Sequence, residues 1–338
     1  MTEHDLSAGG DVMDRVRGCA RAALAAYGGH PGASVELLNV SENATFLVSD
    51  PDTGPSVLRV HRLGYHTELE IASELAWMDA LRAEAGVRTP RVLPAADGRR
   101  VVTVPEAGGA AERCCVRFEF LPGTEPGAAA DDPGLTSAHF AELGEITARM
   151  HRHAREWSRP AWFTRFHWDY PAAFGDRARW GRWQDGIGVG PAEREILTRL
   201  DDALRARLLV FGSGPDRYGL VHADTRLANL LVHDGSVSVI DFDDAGFSWY
   251  LYDLGTTVSF FEHEPVVPAL VGSWLEGYRR AGRLSAADEA EIWTFIMFRR
   301  LLLVAWIGSH RAVDIAAELG AGYTQGSCDL AESYLSTH

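Results

Sequence analysis

The sequence predicts an α+β fold of two lobes, a β-rich N-terminal lobe over residues 1–122 and a mainly helical C-terminal lobe over 123–338. Three observations carry this expectation. Before Pro122 the chain is a series of short strand-like runs separated by turn chemistry and broken by one long helical pattern at 66–85. Beyond the loop-like "TEPGAAADDPG" at 124–134, helical periodicity dominates. One polar stretch, "LVHADTRLANLLVHDGSVSVIDFDDAG" at 220–246, interrupts it with a short apolar hairpin.

Taken in order, residues 11–27 read as a helix stopped by Gly28 and Gly29. The runs "VELLNV", "ATFLVSD" and "SVLRVHR" read as strands, with turns at Ser41–Asn43 and Asp50–Gly54. Thr67 and Glu70 form a T-x-x-E capping box for the next helix, which gives Glu70 a structural role. On that helix Ile71, Leu75, Met78 and Leu81 define an apolar arc, and Glu74 falls inside it. An unpaired buried carboxylate is costly, so Glu74 should have a cationic partner, and Arg59 on the preceding strand is the natural one. "RRVVTV" and "CCVRFEFL" complete the strand-rich half.

In the second half, Phe140, Leu143, Ile146 and Met150 mark a helix over 137–156. His151 and His153 on it read as packed or exposed side chains rather than as a metal pair. A further helix is expected over Pro191–Leu208, and the chain reads as mostly helical from Tyr250 onward, with Ser285 and Asp288 capping one helix.

Composition narrows the function. Of 338 residues, 46 % are hydrophobic and 23 % charged, as in an ordinary globular protein. The strongest apolar run, "LLLVAWIG" at 301–308, is short of the roughly 18 residues of a membrane span, and "MTEHDLSAGGDVMDRVRG" has no apolar signal core. The expectation is a cytoplasmic protein with no membrane partner. A net charge of −15 argues against nucleic acid and is compatible with a cationic substrate. The sequence contains no lysine: all 32 basic side chains are arginines. Neither a phosphate-loop lysine nor a Schiff-base lysine is therefore available. Cys19, Cys114, Cys115 and Cys328 show no metal or redox spacing and read as free thiols.

The polar stretch carries the chemistry. "HDG" at 233–235 is a tight turn of the type I′ kind, so the loop before one strand and the end of the next are brought together. His222, Asp224 and Asn229 fall on the loop, and Asp241 stands where the second strand ends. An amide oxygen and a carboxylate held this way suit Mg²⁺, a hard cation that keeps waters and substrate phosphates. A second carboxylate, Asp224, beside such a cation is placed to meet a hydroxyl nucleophile, the layout phosphoryl transfer requires.

"HADTRLAN" followed by "VIDFDDAG" resembles the H-G-D-x-x-x-x-N and D-x-D motifs of the aminoglycoside phosphotransferase family, which has a two-lobed protein-kinase-like fold. Ala223 replaces the usual glycine. The resemblance runs over about residues 35–310 and is sharp at 222–253. It implies Asp224 as catalytic base or hydroxyl-orienting residue, Asn229 and Asp241 as Mg²⁺ ligands, and His222 and Asp253 as structural support of the catalytic loop. It also implies ATP or GTP as phosphoryl donor. Arg59 stands where the family usually has a lysine for the phosphates, with Glu74 as its partner. Ser41 and Asn43 lie in the loop expected over the phosphates, and Phe120 and Leu121 at the hinge expected beside the purine.

Only eleven residues separate Asp241 from Asp253 and no A-P-E sequence follows, which leaves little room for an activation segment and favours a small-molecule acceptor. The expected activity is transfer of a γ-phosphate to a hydroxyl of an antibiotic or related natural product, of the resistance type. A metabolic amino-alcohol kinase of the homoserine kinase kind and a nucleotide-binding regulatory pseudokinase are the alternatives. Trp157, Trp162, Trp168, Trp180 and Trp183 either wall the acceptor pocket or pack the lobe. Asp243, Asp244, Glu262 and Glu264 either meet an amine-bearing substrate or are solvated.

Overall fold

A computed structural model of the protein describes residues 10–40, 43–106, 108, 111–126, 136–311 and 313–338. The chain forms two compact units, Met1–Ala80 with Thr89–Pro122 and Arg159–Thr164, and Leu81–Arg88 with Gly123–Ser158 and Arg165–His338. It passes from the first to the second at Pro122–Gly123, and each unit also holds a short piece from the other side of that point.

In the first unit, α1 (Gly10–Ala26) precedes β1 (Ser34–Val40), β2 (Ala44–Asp50) and β3 (Gly54–Val60). After α2 (Glu68–Glu84) come β4 (Val101–Pro105) and β5 (Glu112–Glu119). These strands form an antiparallel sheet in the order β1-β2-β3-β5-β4. Alternation puts Phe46, Val48, Leu58, Val60, Val102, Val104 and Cys115 on one face. Against it α1 buries Val16, Cys19, Ala20, Ala23 and Leu24, which recur at helical spacing, with Tyr27 just beyond its end. Asp50 closes the β2–β3 turn by accepting the amides of Asp52 and Thr53. The Thr67–Glu70 box caps α2 as expected, each residue bonding the other's backbone amide.

In the second unit, α3 (Ser137–Glu156), α4 (Tyr170–Phe174) and α5 (Pro191–Phe211) lead to β6 (Tyr218–Val221). The hairpin strands are β7 (Leu230–His233) and β8 (Ser236–Val239), and β9 (Gly246–Trp249) pairs back on β6. Asp234 (φ 51°) and Gly235 (φ 75°) give the hairpin the two left-handed residues of its expected turn. Strand β9 has no counterpart in the sequence reading: its alternation lasts only four residues, too short a run to stand out from its surroundings.

Next come α6 (Leu251–Thr257), α7 (Val267–Ala281), the one-turn α8 (Ala286–Glu289), α9 (Ile292–Ser309), and α10 (Asp314–Thr337), which is kinked at Gly320. Helices α3 and α7 meet backbone to backbone. A Cβ on Gly144 would lie 2.0 Å from the Trp274 carbonyl oxygen, and one on Gly277 1.7 Å from that of Ala141. Helix α9 is buried on nearly every side. The stretch Ala286–Ser309 is long and apolar enough to cross a membrane by composition, yet 83 % of its apolar window is buried inside the protein. All four cysteines are free.

Candidate active site

The catalytic-loop candidates sit between β6 and β7. Leu227–Asn229 form a single 3-10 turn, so Asn229 leaves the loop already wound toward the hairpin. Its carbonyl accepts the Ile240 amide at 3.0 Å, one ladder step beyond the Leu230–Val239 pair. This places Asn229 beside the strand end from which Asp241 follows. His222 ties the same elements from the other side. Its Nδ1 accepts the Asp224 amide at 3.2 Å, which makes Nε2 the protonated nitrogen that donates to the Ile240 carbonyl at 3.1 Å. Asp241 itself has a positive φ of 62°, a conformation Asp tolerates better than branched residues do.

Asp253, fully buried near the start of α6, holds the loop from below. Its Oδ1 accepts the amide of Ala223 at 2.7 Å, and its Oδ2 accepts the amide of His222 at 3.2 Å. Ala223 has φ 66°, which explains why glycine suits this position: an L-residue here costs about 1–2 kcal/mol. His151 from α3 reaches Asp253 Oδ2 through Nε2 at 2.9 Å, and its Nδ1 meets the Tyr278 hydroxyl of α7 at 3.0 Å. The Thr225, Thr256 and Thr257 hydroxyls cluster on the Asp253 carbonyl. His153, two residues on, meets Glu84 instead, through Nε2 at 3.1 Å. Among the described residues, no group of three or more His, Cys, Asp or Glu is arranged to hold a metal.

Asp224 is the centre of this arrangement. Its Oδ2 accepts Asn229 Nδ2 at 2.6 Å and Arg226 Nε at 3.2 Å, and its Oδ1 accepts Arg299 Nη2 at 2.5 Å. Burial pushes the carboxyl up, but the charges of Arg299 and Arg226 outweigh it and hold Asp224 below the usual carboxylate range. Asp224 is therefore an anion. Asn229 Nδ2 also donates to the Asp224 carbonyl at 2.9 Å. With both Nδ2 contacts made, the amide oxygen Oδ1 is the group Asn229 has left to offer a cation, and an amide oxygen and a carboxylate such as that of Asp241 are the kind of hard oxygen donors Mg²⁺ takes.

Arg299 and Arg226 are partners the sequence reading missed. The signal for Arg299 was present: "FRRLLLVAW" puts two arginines inside an apolar helix, and a buried cation needs an anion. Arg299 also donates through Nε to Ser259 Oγ and through Nη1 to Tyr252 Oη, both at 3.1 Å. Its neighbour Arg300 pairs with Glu262 at 2.5 Å, and Tyr323 donates to the same carboxylate. Glu262 is thus neither solvated nor open to an amine, whereas Glu264 is exposed. Asp243 and Asp244 are buried too, on a segment fastened through its backbone: Arg165 donates to the Asp243 and Ala245 carbonyls, and Trp168 Nε1 to that of Asp244 at 2.8 Å. Trp168, Trp180 and Trp183 pack the unit's interior, while Trp162 is half-exposed.

In the first unit the expected ion pair is present: Arg59 Nη1 donates to Glu74 Oε1 at 2.8 Å, with both side chains buried. The Arg59 guanidinium also lies over the Phe118 ring, 5.1 Å from its centroid. Asn43 is buried, and its side-chain oxygen accepts the Arg62 amide at 3.0 Å. Ser41 lies outside the described residues. Phe120, 41 % exposed, and the buried Leu121 follow directly on β5.

The family model described as APH, phosphotransferase enzyme family, matches residues 35–292. The chain belongs to this family. It is a phosphotransferase that acts on small molecules. The structure of a microcompartment-associated aminopropanol kinase is 50 % identical, with a TM-score of 0.87 over 95 % of this chain and 98 % of that one. Amicoumacin kinase of Bacillus subtilis (strain 168) is 26 % identical over 87 % of this chain and 85 % of its own length. A structure of amicoumacin kinase with AMP-PNP, Ca²⁺ and Ami shares the fold, with a TM-score of 0.76 at 23 % identity, covering 94 % of this chain and 95 % of that one.

Proposed function

We propose that this phosphotransferase is an amino-alcohol kinase that transfers the γ-phosphate of ATP or GTP to the hydroxyl of a small amino alcohol, with Mg²⁺. The observation that carries this reading is the 50 % identity to an aminopropanol kinase along nearly the whole of both chains, against 26 % to amicoumacin kinase. That likeness supports the metabolic alternative over an antibiotic acceptor. A net charge of −15 favours a cationic acceptor in the same direction.

In this reading Asp224, held as an anion, receives the hydrogen bond of the acceptor hydroxyl and orients its oxygen toward phosphorus. Because the transition state is loose, orientation contributes more than early removal of the proton, and a carboxylate of lowered basicity suffices. Asn229 Oδ1 and the Asp241 carboxylate hold the metal ion. When bound, Mg²⁺ neutralises charge on the nucleotide's phosphate oxygens. His222 and Asp253 keep the loop in register, and Arg59, steadied by Glu74, is the cation offered to the nucleotide phosphates. Ser41, Asn43, Phe120 and Leu121 stand as further nucleotide contacts.

The test is transfer of labelled phosphate from ATP and from GTP, with Mg²⁺, into aminopropanol, ethanolamine, choline, homoserine and a panel of antibiotics that includes amicoumacin. Preferential labelling of an amino alcohol is expected. Labelling of an antibiotic alone would overturn the reading. Asp224→Ala should abolish transfer and leave nucleotide binding nearly intact.

A further inference from the structure

We propose that Arg299 is a positioning residue for phosphoryl transfer, leaving the Asp224 carboxylate one acceptor direction, on Oδ1, for the substrate hydroxyl. The inference rests on the reading of Asp224 given above. A carboxylate offers roughly four lone-pair directions, two on each oxygen. Both on Oδ2 are taken, by Asn229 Nδ2 and by Arg226 Nε. On Oδ1 one is taken by Arg299 Nη2. What remains is a single direction on Oδ1, and its bearing is set by where Arg299 stands.

Arg299 is built to stand still. It is 2 % exposed in an apolar helix, and each of its three nitrogens donates to a different element. Nε bonds Ser259 just after α6, Nη1 bonds Tyr252 within α6, and Nη2 bonds the catalytic-loop carboxylate. A planar fork with three donors engaged fixes both distance and angle, which a lysine ammonium on a flexible stem does not. Asn229 and Arg226 are the other two donors on the carboxylate, but Asn229 is also a proposed metal ligand and Arg226 is partly exposed. Arg299 touches neither nucleotide nor metal in this scheme. Its contribution is the rotation of the carboxylate plane.

The test compares wild type with Arg299→Lys and Tyr252→Phe in the acceptor assay, alongside thermal unfolding and nucleotide titration. Arg299→Lys keeps the charge and loses the fork. A displacement of about 1 Å at the reacting centre costs on the order of 100-fold, so kcat should fall about that much. KM for nucleotide should stay within about twofold of wild type, a split that general damage to the fold would not produce. Tyr252→Phe removes one hydroxyl from a buried ring and should lower kcat several-fold in the same pattern; it decides the matter if the lysine variant does not fold. Unchanged kcat in the folded variants would overturn the role of Arg299 and leave the amino-alcohol reading standing. A rise in acceptor KM with kcat unchanged would likewise overturn it, making Arg299 a binding determinant. Wild-type enzyme that phosphorylates no acceptor would remove the reading itself, and this inference with it.

Discussion

Asp253 Oδ1 accepts the amide of Ala223 at 2.7 Å, and this bond holds a non-glycine residue in the left-handed region one position before Asp224. The loop geometry therefore depends on a carboxylate 30 residues away along the chain. Replacing Asp253 with Ala strands the amides of His222 and Ala223 and the ring of His151 inside the protein. Unsatisfied buried donors cost about 1–3 kcal/mol each, so Asp253→Ala should lose at least about 3 kcal/mol of stability together with phosphotransfer. Denaturant unfolding and the acceptor assay check both.

The Arg59–Glu74 pair permits a separation of stability from function. Removing one partner leaves an uncompensated buried charge, and Arg59→Met alone should cost about 3–5 kcal/mol. Arg59→Met with Glu74→Leu replaces the pair by apolar side chains and should recover most of that loss. The double variant should nevertheless bind nucleotide poorly, as measured by isothermal titration. Full nucleotide affinity in the folded double variant would remove Arg59 from the phosphate contacts.

Metal dependence follows from the donor set. Asp241→Ala takes away the only charged ligand proposed for the ion, and the nucleotide-induced rise in melting temperature should lose its dependence on Mg²⁺. Chelation of wild-type enzyme should produce the same insensitivity. A variant whose nucleotide response still scales with Mg²⁺ would place the ion elsewhere.

His151 sets an acid limit on stability. Burial pushes its imidazole below the ordinary value of 6.5, and the hydrogen bond and charge of Asp253 offset this only in part. The native state therefore holds the ring neutral while the unfolded chain binds a proton at higher pH, so stability rises with pH across the interval. Its contribution is complete above about pH 6.5 and is lost as pH falls toward the depressed value. Urea unfolding at pH 7.5 and 5.5 should show a smaller difference in His151→Asn than in wild type.

The contact between α3 and α7 supports this network from outside. Gly277→Ala would drive a methyl into the Ala141 carbonyl, and forcing the helices apart should cost about 3 kcal/mol. Because Tyr278 is the next residue, the variant should also weaken the Tyr278–His151–Asp253 chain and reduce kcat in molecules that remain folded. Unfolding curves and the acceptor assay report the two effects separately.

What the sequence by itself determined was everything written in short-range pattern. The strands of the first unit, the capping box at Thr67, the turn at Asp234–Gly235 and the spacing of His222, Asp224, Asn229 and Asp241 all depend on neighbours within one element or one hairpin. Even the Arg59–Glu74 pair was legible, because an acid inside an apolar helical arc demands a cation and an adjacent strand offered one. Tertiary structure alone decided the rest. Arg299 meets Asp224 across 75 residues and His151 meets Asp253 across 102, and no periodicity states which distant element a buried polar side chain will face. The same holds for the tryptophans of 157–183 and for Glu262, whose composition fitted a pocket wall or a solvated rim equally well. Packing resolved the choice: Trp168, Trp180 and Trp183 are buried in the unit's interior, and the Glu262 carboxylate is buried against Arg300 of α9, since an unpaired buried charge costs too much to persist.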